Sequence, residues 1–129
     1  VGILSVALIA RWMGAEPAVV ASLEPKSVTT AIALSLSANS GGIPALTAAV
    51  VVCVGLLGSI VGIKTLKLTR IKSPIAQGLS LGAAAHAVGT STAMDISSKY
   101  GAYASLGLTL NGIFTALLTP TILRLLGLL

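Results

Sequence analysis

The chain has 129 residues, of which 55% are hydrophobic and only 9% are charged, and its formal net charge is +5. About a quarter of the residues of an ordinary soluble domain are charged, so this composition excludes that class and predicts an all-α membrane protein with several spans. We attribute the basic excess to the cytoplasmic flanks of membrane spans and not to a nucleic-acid surface, because the bases cluster at Lys64, Lys67, Arg70 and Lys72 with no aromatic residue among them.

The first part of the chain predicts three short apolar helices, over residues 1–10, 17–23 and 28–38. Pro17 suits the first turn of the second helix. The segment Glu24-Pro25-Lys26 then breaks the apolar run, because proline disfavours helix in the residue before it. Gly41 and Gly42 end the third helix, since glycine accepts left-handed geometry.

Two uninterrupted apolar spans follow, residues 44–63 and 101–123, each close to the roughly 20 residues that cross a bilayer core. A basic loop over residues 64–72 separates the first span from the next helix, and we expect it at the cytoplasmic face. Ser73 is expected to cap that helix, with Pro74 just inside it. The single cysteine, Cys53, is expected to be a small buried apolar residue.

Two polar runs interrupt the apolar sequence, residues 26–31 and residues 86–93. Lipid tolerates broken helices and polar clusters only where protein or a cavity surrounds them. Two such breaks at corresponding positions indicate the central binding site of a transporter. We therefore predict a multi-span helical bundle with two discontinuous helices, either broken or re-entrant.

The two runs also suggest an internal repeat, with units of about residues 17–63 and 73–124 in one transmembrane domain over residues 1–129. Thr29-Thr30-Ala31-Ile32 parallels Ser91-Thr92-Ala93-Met94. If both broken elements cross the membrane, the basic loop, Arg11 and Arg124 share one face, as the positive-inside rule favours. If they are re-entrant hairpins, the repeats are inverted, as transporter precedent favours.

The first polar run has the chemistry of an anion site. Lys26 offers an ammonium group, and Ser27, Thr29 and Thr30 offer hydroxyls beside the free N–H groups of a helix start. A small carboxylate fits these donors. The alternative is a helix cap at Ser27 or Thr29 with Lys26 extended toward water.

The second polar run offers an imidazole and further hydroxyls. His86 can bond a carboxylate or carry a proton, Gly89 lets a ligand approach the backbone, and Thr90 and Ser91 supply hydroxyls. The alternative is a core histidine bonded to a neighbouring carbonyl. Asp95 is either a proton-coupling acid or, three residues after Thr92, part of a capping box.

Asn111 lies in the last span. It either bonds across helices or faces the substrate. Together with the two polar runs it completes the predicted substrate-binding set, which consists of Lys26, Ser27, Thr29, Thr30, His86, Gly89, Thr90, Ser91 and Asn111.

Four segments in this order resemble the LrgB/CidB family: Lys26-Ser27-Val28-Thr29-Thr30, Gly41-Gly42-Ile43-Pro44, Ile71-Lys72-Ser73-Pro74-Ile75-Ala76-Gln77-Gly78 and His86-Ala87-Val88-Gly89-Thr90. The resemblance covers residues 23–126. It implies the C-terminal half of a longer, multi-pass protein of the bacterial cytoplasmic (inner) membrane. It also implies two functions: antiholin-like control of murein hydrolase export and cell lysis beside a small LrgA/CidA-like partner, and transport of small monocarboxylates.

We expect a transporter, or the transporting subunit of one, for monocarboxylates such as pyruvate, glycolate or glycerate. The alternative is the antiholin-like regulator, acting through a homo- or hetero-oligomer in the lipid bilayer. The glycine faces of residues 55–62 and 78–82 would be its assembly surfaces. No metal-ligand spacing, phosphate loop or nucleophile–base pair occurs, so we expect no metal, no cofactor and no enzyme activity.

Overall fold

The structure, a computed structural model, describes residues 2–125 and 127. Among these residues there is no strand, so the predicted all-α class is confirmed. The described helices are α1 (Gly2–Trp12), α2 (Pro17–Leu23), α3 (Thr30–Asn39), α4 (Pro44–Leu68), α5 (Pro74–Ile96) and α6 (Ser98–Leu125). The predicted start of the first helix at Val1 and the last residues of the predicted domain lie outside the described part.

Local signals set most helix ends. Three helices begin at a proline, namely α2 at Pro17, α4 at Pro44 and α5 at Pro74. Proline suits this position because its φ is already helical and its missing N–H would have no helical acceptor there. The Ser73 hydroxyl accepts a bond from the N–H of Ala76 at 3.5 Å, which confirms the predicted cap. Beyond α3, Gly41 has a φ of +72°, the left-handed geometry that ends a helix.

The predicted basic loop is wrong in its extent, because α4 continues through Lys64 and Lys67 to Leu68. No proline or glycine interrupts this stretch, and the Thr65 hydroxyl donates back to the Val61 carbonyl at 3.0 Å. A helix of 25 residues is roughly 37 Å long, against about 30 Å for a bilayer core. The helix is therefore longer than an apolar layer requires, and its lysines lie in the last two turns.

The helices α4 and α6 are long and apolar enough to cross a membrane. Only 17% of the most apolar window of α4 and 28% of that of α6 is buried within the chain. The outer face of α4 presents Val52, Leu56, Leu57, Ile60 and Val61. Cys53 lies on this exposed face, so the expectation that it is buried is wrong. Hydrophobicity alone gives no information on which side of a uniformly apolar helix faces its neighbours.

The chain forms two compact units, one comprising Val1–Val52 with Gly112–Leu129 and the other Cys53–Asn111. In the first unit α1 packs on α2 through Ala7, Ala10 and Val20. A second cluster of that unit joins Val28, Ala33 and Val51, with Ile32 against them. Alanines supply three of these six buried side chains, and such small residues favour close packing of helices.

Glycines allow the close contacts between the helices of the second unit. A β-carbon at Gly58 would meet the β-carbon of Ala85 at 2.5 Å, and one at Gly62 would meet Leu81 at 2.8 Å. A β-carbon at Gly82 would collide with the backbone of Ala104 on α6. The glycine faces that we predicted to be free for oligomerisation are therefore occupied within the chain, where they pack α4, α5 and α6 together.

Candidate functional site: two breaks in the helices

Break 1 is the irregular segment of residues 24–29, between α2 and α3. It is folded as tight turns, in which Lys26 N–H donates to the Leu23 carbonyl and Val28 N–H to the Pro25 carbonyl, both at 3.3 Å. Thr29 occupies the N-cap position of α3 with extended backbone, but its side chain makes no capping bond. The Thr29 side chain therefore does not cover the first N–H groups of α3, as an N-cap side chain usually does.

The predicted binding residues of break 1 are only partly enclosed. The Lys26 ammonium donates to the Ser27 hydroxyl at 3.2 Å. Lys26, Ser27 and Thr29 are half-buried, whereas Thr30 is exposed. The structure thus brings a cation and hydroxyls next to an uncapped helix start, within reach of a small ligand. The alternative prediction of a side-chain cap at Thr29 is wrong.

Glu24, which opens break 1, is the residue that sequence reasoning undervalued. Its side chain is only 2% exposed. Neither of its carboxyl oxygens has a hydrogen-bond partner among the described residues. The Lys26 ammonium, two residues further along the chain, bonds the Ser27 hydroxyl and not Glu24. A single acidic residue before a proline does not indicate burial, so the sequence did not predict it.

Buried hydroxyls fix the base of break 1. Ser22, Ser37 and Thr47 are fully buried. The Thr47 hydroxyl lies 2.7 Å from the Ser37 hydroxyl and 3.0 Å from the Ser22 carbonyl. The N–H of Ile43 donates to the Ser22 hydroxyl at 2.7 Å. This network ties the end of α2 to the end of α3 and the start of α4, and no pattern in the sequence links these three residues.

Break 2 lies inside α5, where Ala85 (φ −121°, ψ 18°) and His86 (φ 42°, ψ −133°) are not helical. The chain bends sharply there. A β-carbon at Gly89 would collide with the carbonyl oxygen of Leu81, although residues eight apart in a straight helix are about 12 Å apart. The His86 geometry resembles the first central position of a type II′ turn, which favours glycine. The backbone is therefore strained at a histidine.

The imidazole of His86 is buried against the middle of α4. His86 is 4% exposed. A β-carbon at Gly55 would meet its Cε1 at 2.6 Å and its Nε2 at 2.7 Å, so only glycine leaves room for the ring. Gly55 lies near the centre of Pro44–Leu68, a candidate membrane span. Break 2 is thus at mid-depth along that helix, where irregular backbone needs surrounding protein.

Polar side chains bond the carbonyls around break 2. The Asn111 amide donates to the Ala83 carbonyl at 3.0 Å, in the last turn before the break, where a carbonyl loses its helical donor. Of the two alternatives for Asn111, the structure shows the bond across helices. The Thr90 hydroxyl is buried and donates to the His86 carbonyl at 3.0 Å. Gly89 is buried, whereas Ser91 is exposed.

The predicted capping box at Thr92 and Asp95 is wrong. Thr92 lies inside α5, and its hydroxyl donates to the Val88 carbonyl at 2.9 Å. The helix resumes directly after His86, so it needs no start at Thr92. Asp95 is exposed near the end of α5.

These features define an all-helical membrane protein whose polar and strained residues concentrate at two interruptions of apolar helices. The chain belongs to the LrgB-like family, whose sequence profile matches residues 1–125. Among curated relatives, an uncharacterized protein of Haemophilus influenzae is 43% identical over 95% of this chain and 53% of its own length. The uncharacterized protein YwbG of Bacillus subtilis is 41% identical over 95% of the chain and 55% of its own length.

The antiholin-like protein LrgB of Bacillus cereus is 36% identical over 97% of the chain and 54% of its own length. The chain therefore spans about half the length of these relatives. No solved structure matches the chain.

Proposed function

We propose that this chain works as part of an antiholin-like regulator in the bacterial cytoplasmic membrane. The observation that carries the proposal is its membership of the LrgB-like family together with the name of its Bacillus cereus relative. The regulator would control murein hydrolase export and cell lysis by assembling with a small LrgA/CidA-like membrane protein.

The outer face of α4 is the surface we assign to this assembly. Its glycines are packed within the chain, but Cys53, Leu57 and Ile60 are exposed on it. Shape-complementary apolar packing in lipid needs such an unoccupied face. We expect Leu57→Trp, which adds bulk on this face, to weaken the assembly while leaving the fold intact.

Cys53 supplies the test. The full-length protein and its small partner are co-expressed, and membranes are treated with a short thiol-to-amine crosslinker. We expect a partner-containing product that Cys53→Ser abolishes and Leu57→Trp reduces. The same strains are scored for the onset of lysis. A normal lysis profile in a strain lacking the full-length protein would contradict the regulatory proposal.

A second candidate function is carriage of small monocarboxylates such as pyruvate, glycolate or glycerate. The observation that favours it is break 2, where a strained and buried histidine lies at the centre of a candidate membrane span. We further propose that breaks 1 and 2 are the discontinuous helices of an internal repeat, as in transporters with central binding sites. Lysis effects would then follow from altered metabolite flux.

Break 1 supplies the chemistry that a carboxylate requires. The Lys26 ammonium provides the charge, and the uncapped N–H groups at the start of α3 provide donors at the positive end of a helix. His86, which lies in the other unit, is a separate group that can bond a carboxyl oxygen. Each group is tested by its own substitution.

The experiment measures uptake of labelled pyruvate into proteoliposomes that contain the full-length protein, with and without the small partner, under a proton gradient. We expect saturable uptake that Lys26→Ala and His86→Ala abolish. Lys99→Ala, at an exposed lysine near the start of α6, is the matched control and should transport normally. Uptake that survives both Lys26→Ala and His86→Ala would contradict this candidate.

A further inference from the structure

The chain contains only three acidic residues, and their surroundings differ sharply. Glu16 and Asp95 are exposed, whereas Glu24 is 2% exposed in break 1. An exposed carboxylate is solvated in either protonation state. A buried one has to obtain its stabilisation from the protein, so Glu24 is the acid whose protonation state the fold controls.

The described protein offers the ionised form of Glu24 no compensation. Both carboxyl oxygens are buried and have no hydrogen-bond partner there. Leaving a carboxylate unpaired in such surroundings costs several kcal/mol, whereas the neutral acid costs far less. The geometry therefore corresponds to a protonated side chain.

The other charged groups of the same unit are few. They are Arg11 at the end of α1, Glu16 before α2, Lys26 in break 1 and Arg124 in the last turn of α6. The described residues of α3 and of α4 up to Val52 contribute no charge. Lys26 follows Glu24 by two residues and bonds the Ser27 hydroxyl. Lys26 is the cation nearest to Glu24 in sequence, and an ionised Glu24 can form an ion pair with it.

We propose that Glu24 is a proton-binding site that couples carboxylate transport to the proton gradient. With a proton on Glu24, the Lys26 ammonium is available to a substrate carboxylate. When the proton leaves, the Glu24 carboxylate forms an ion pair with the Lys26 ammonium, and the substrate carboxylate is released. One proton and one carboxylate then move together, with no net charge transferred. This inference rests on the transport candidate and replaces Asp95, and His86, as the predicted coupling residue.

Infrared difference spectroscopy tests the proton site without any transport measurement. Full-length protein at neutral pH should show the C=O stretch of a protonated carboxylic acid, which disappears as the pH is raised. We expect Glu24→Gln to remove this band, while Glu16→Gln and Asp95→Asn keep it. A band that Glu24→Gln leaves in place, or its absence from the unmodified protein, would overturn the proposal.

Chemical labelling keeps the proposal testable if Glu24→Gln fails to fold. Dicyclohexylcarbodiimide is an apolar reagent that modifies protonated carboxyls in apolar surroundings. After treatment of the unmodified full-length protein at neutral pH, mass spectrometry should find the adduct on Glu24 and not on Glu16 or Asp95. An adduct confined to the exposed acids would overturn the proposal.

The coupling step has its own readout. In proteoliposomes, Glu24→Gln should lose proton-driven accumulation of pyruvate but keep exchange of internal for external pyruvate. Accumulation that stays at the unmodified level would overturn the coupling role. If the unmodified protein moves no carboxylate at all, the transport candidate fails and the coupling role fails with it. The infrared band and the adduct then still decide whether Glu24 binds a proton.

Discussion

Breaks 1 and 2 have related sequences but interrupt their helices in different ways. Break 1 spans residues 24–29 and is folded as tight turns around a proline. It leaves the buried Glu24 carboxyl without a hydrogen-bond partner, and Thr29 makes no capping bond at the start of α3. Break 2 occupies only Ala85 and His86, and polar side chains bond the carbonyls of His86 and of Ala83 just before it. Break 1 is thus marked by an unpaired buried carboxyl, whereas break 2 is marked by backbone strain.

This difference means that the proposed repeat, taken alone, would not predict local structure. The alignment pairs Thr29-Thr30 with Ser91-Thr92. Thr29 lies at the start of α3, whereas Ser91 and Thr92 lie well inside a helix that has already resumed. Proline forces the first interruption to extend to the next good helix start. In break 2, Gly89 lets the helix bend over only two residues, because a residue without a β-carbon can lie against the Leu81 carbonyl.

The largest expected effect concerns the close approach at break 2. Gly89→Ala places a methyl group against the Leu81 carbonyl and the Ala85 side chain, so we expect a loss of roughly 3 kcal/mol in the free energy of unfolding. Thermal unfolding of the full-length protein in detergent measures it. Gly2→Ala, in open space on α1, is the control and should leave the melting temperature unchanged. Equal melting temperatures for Gly89→Ala and the unmodified protein would rule out the close approach of Gly89 to Leu81.

The hydroxyl network beneath break 1 should give the next largest effect. Thr47→Val removes the hydroxyl near Ser22 and Ser37 and leaves buried polar groups unsatisfied, for a loss of about 2 kcal/mol. Thr65→Val is the matched control on the same helix, because the Thr65 hydroxyl is exposed and bonds only its own helix. The two melting temperatures are compared in detergent. If both variants unfold alike, the network does not hold break 1.

The strain at break 2 is measured by two substitutions that both remove the imidazole. Glycine adopts the positive φ of His86 without penalty, whereas alanine does not, so His86→Gly should be about 1 kcal/mol more stable than His86→Ala. Both should be inactive in pyruvate uptake. Such a result means that a histidine is kept at a glycine-favouring position for its ring. Equal stabilities would show that the backbone relaxes.

The sequence predicted the helix starts at Pro17, Pro44 and Pro74 and the cap at Ser73, because proline and serine act through the backbone next to them. It did not predict the burial of Glu24, the exposure of Cys53 or the three-way contact of Ser22, Ser37 and Thr47. These depend on which faces of uniformly apolar helices meet, and an apolar run without periodicity does not specify a face. The sequence identified which polar residues lie at the two breaks, but it did not predict which atoms they contact.

The smallest expected effect is that of Asp95→Asn, which distinguishes the role of Asp95 from that of Glu24. Asp95→Asn should change the free energy of unfolding by less than about 0.5 kcal/mol, because Asp95 is exposed and caps no helix start. Uptake and its pH dependence should be unchanged, in contrast to Glu24→Gln. A clear loss of proton-driven uptake in Asp95→Asn would move the coupling role back to α5. An unchanged profile excludes Asp95 and agrees with the proposal that the proton binds Glu24, the one buried acid of the described chain.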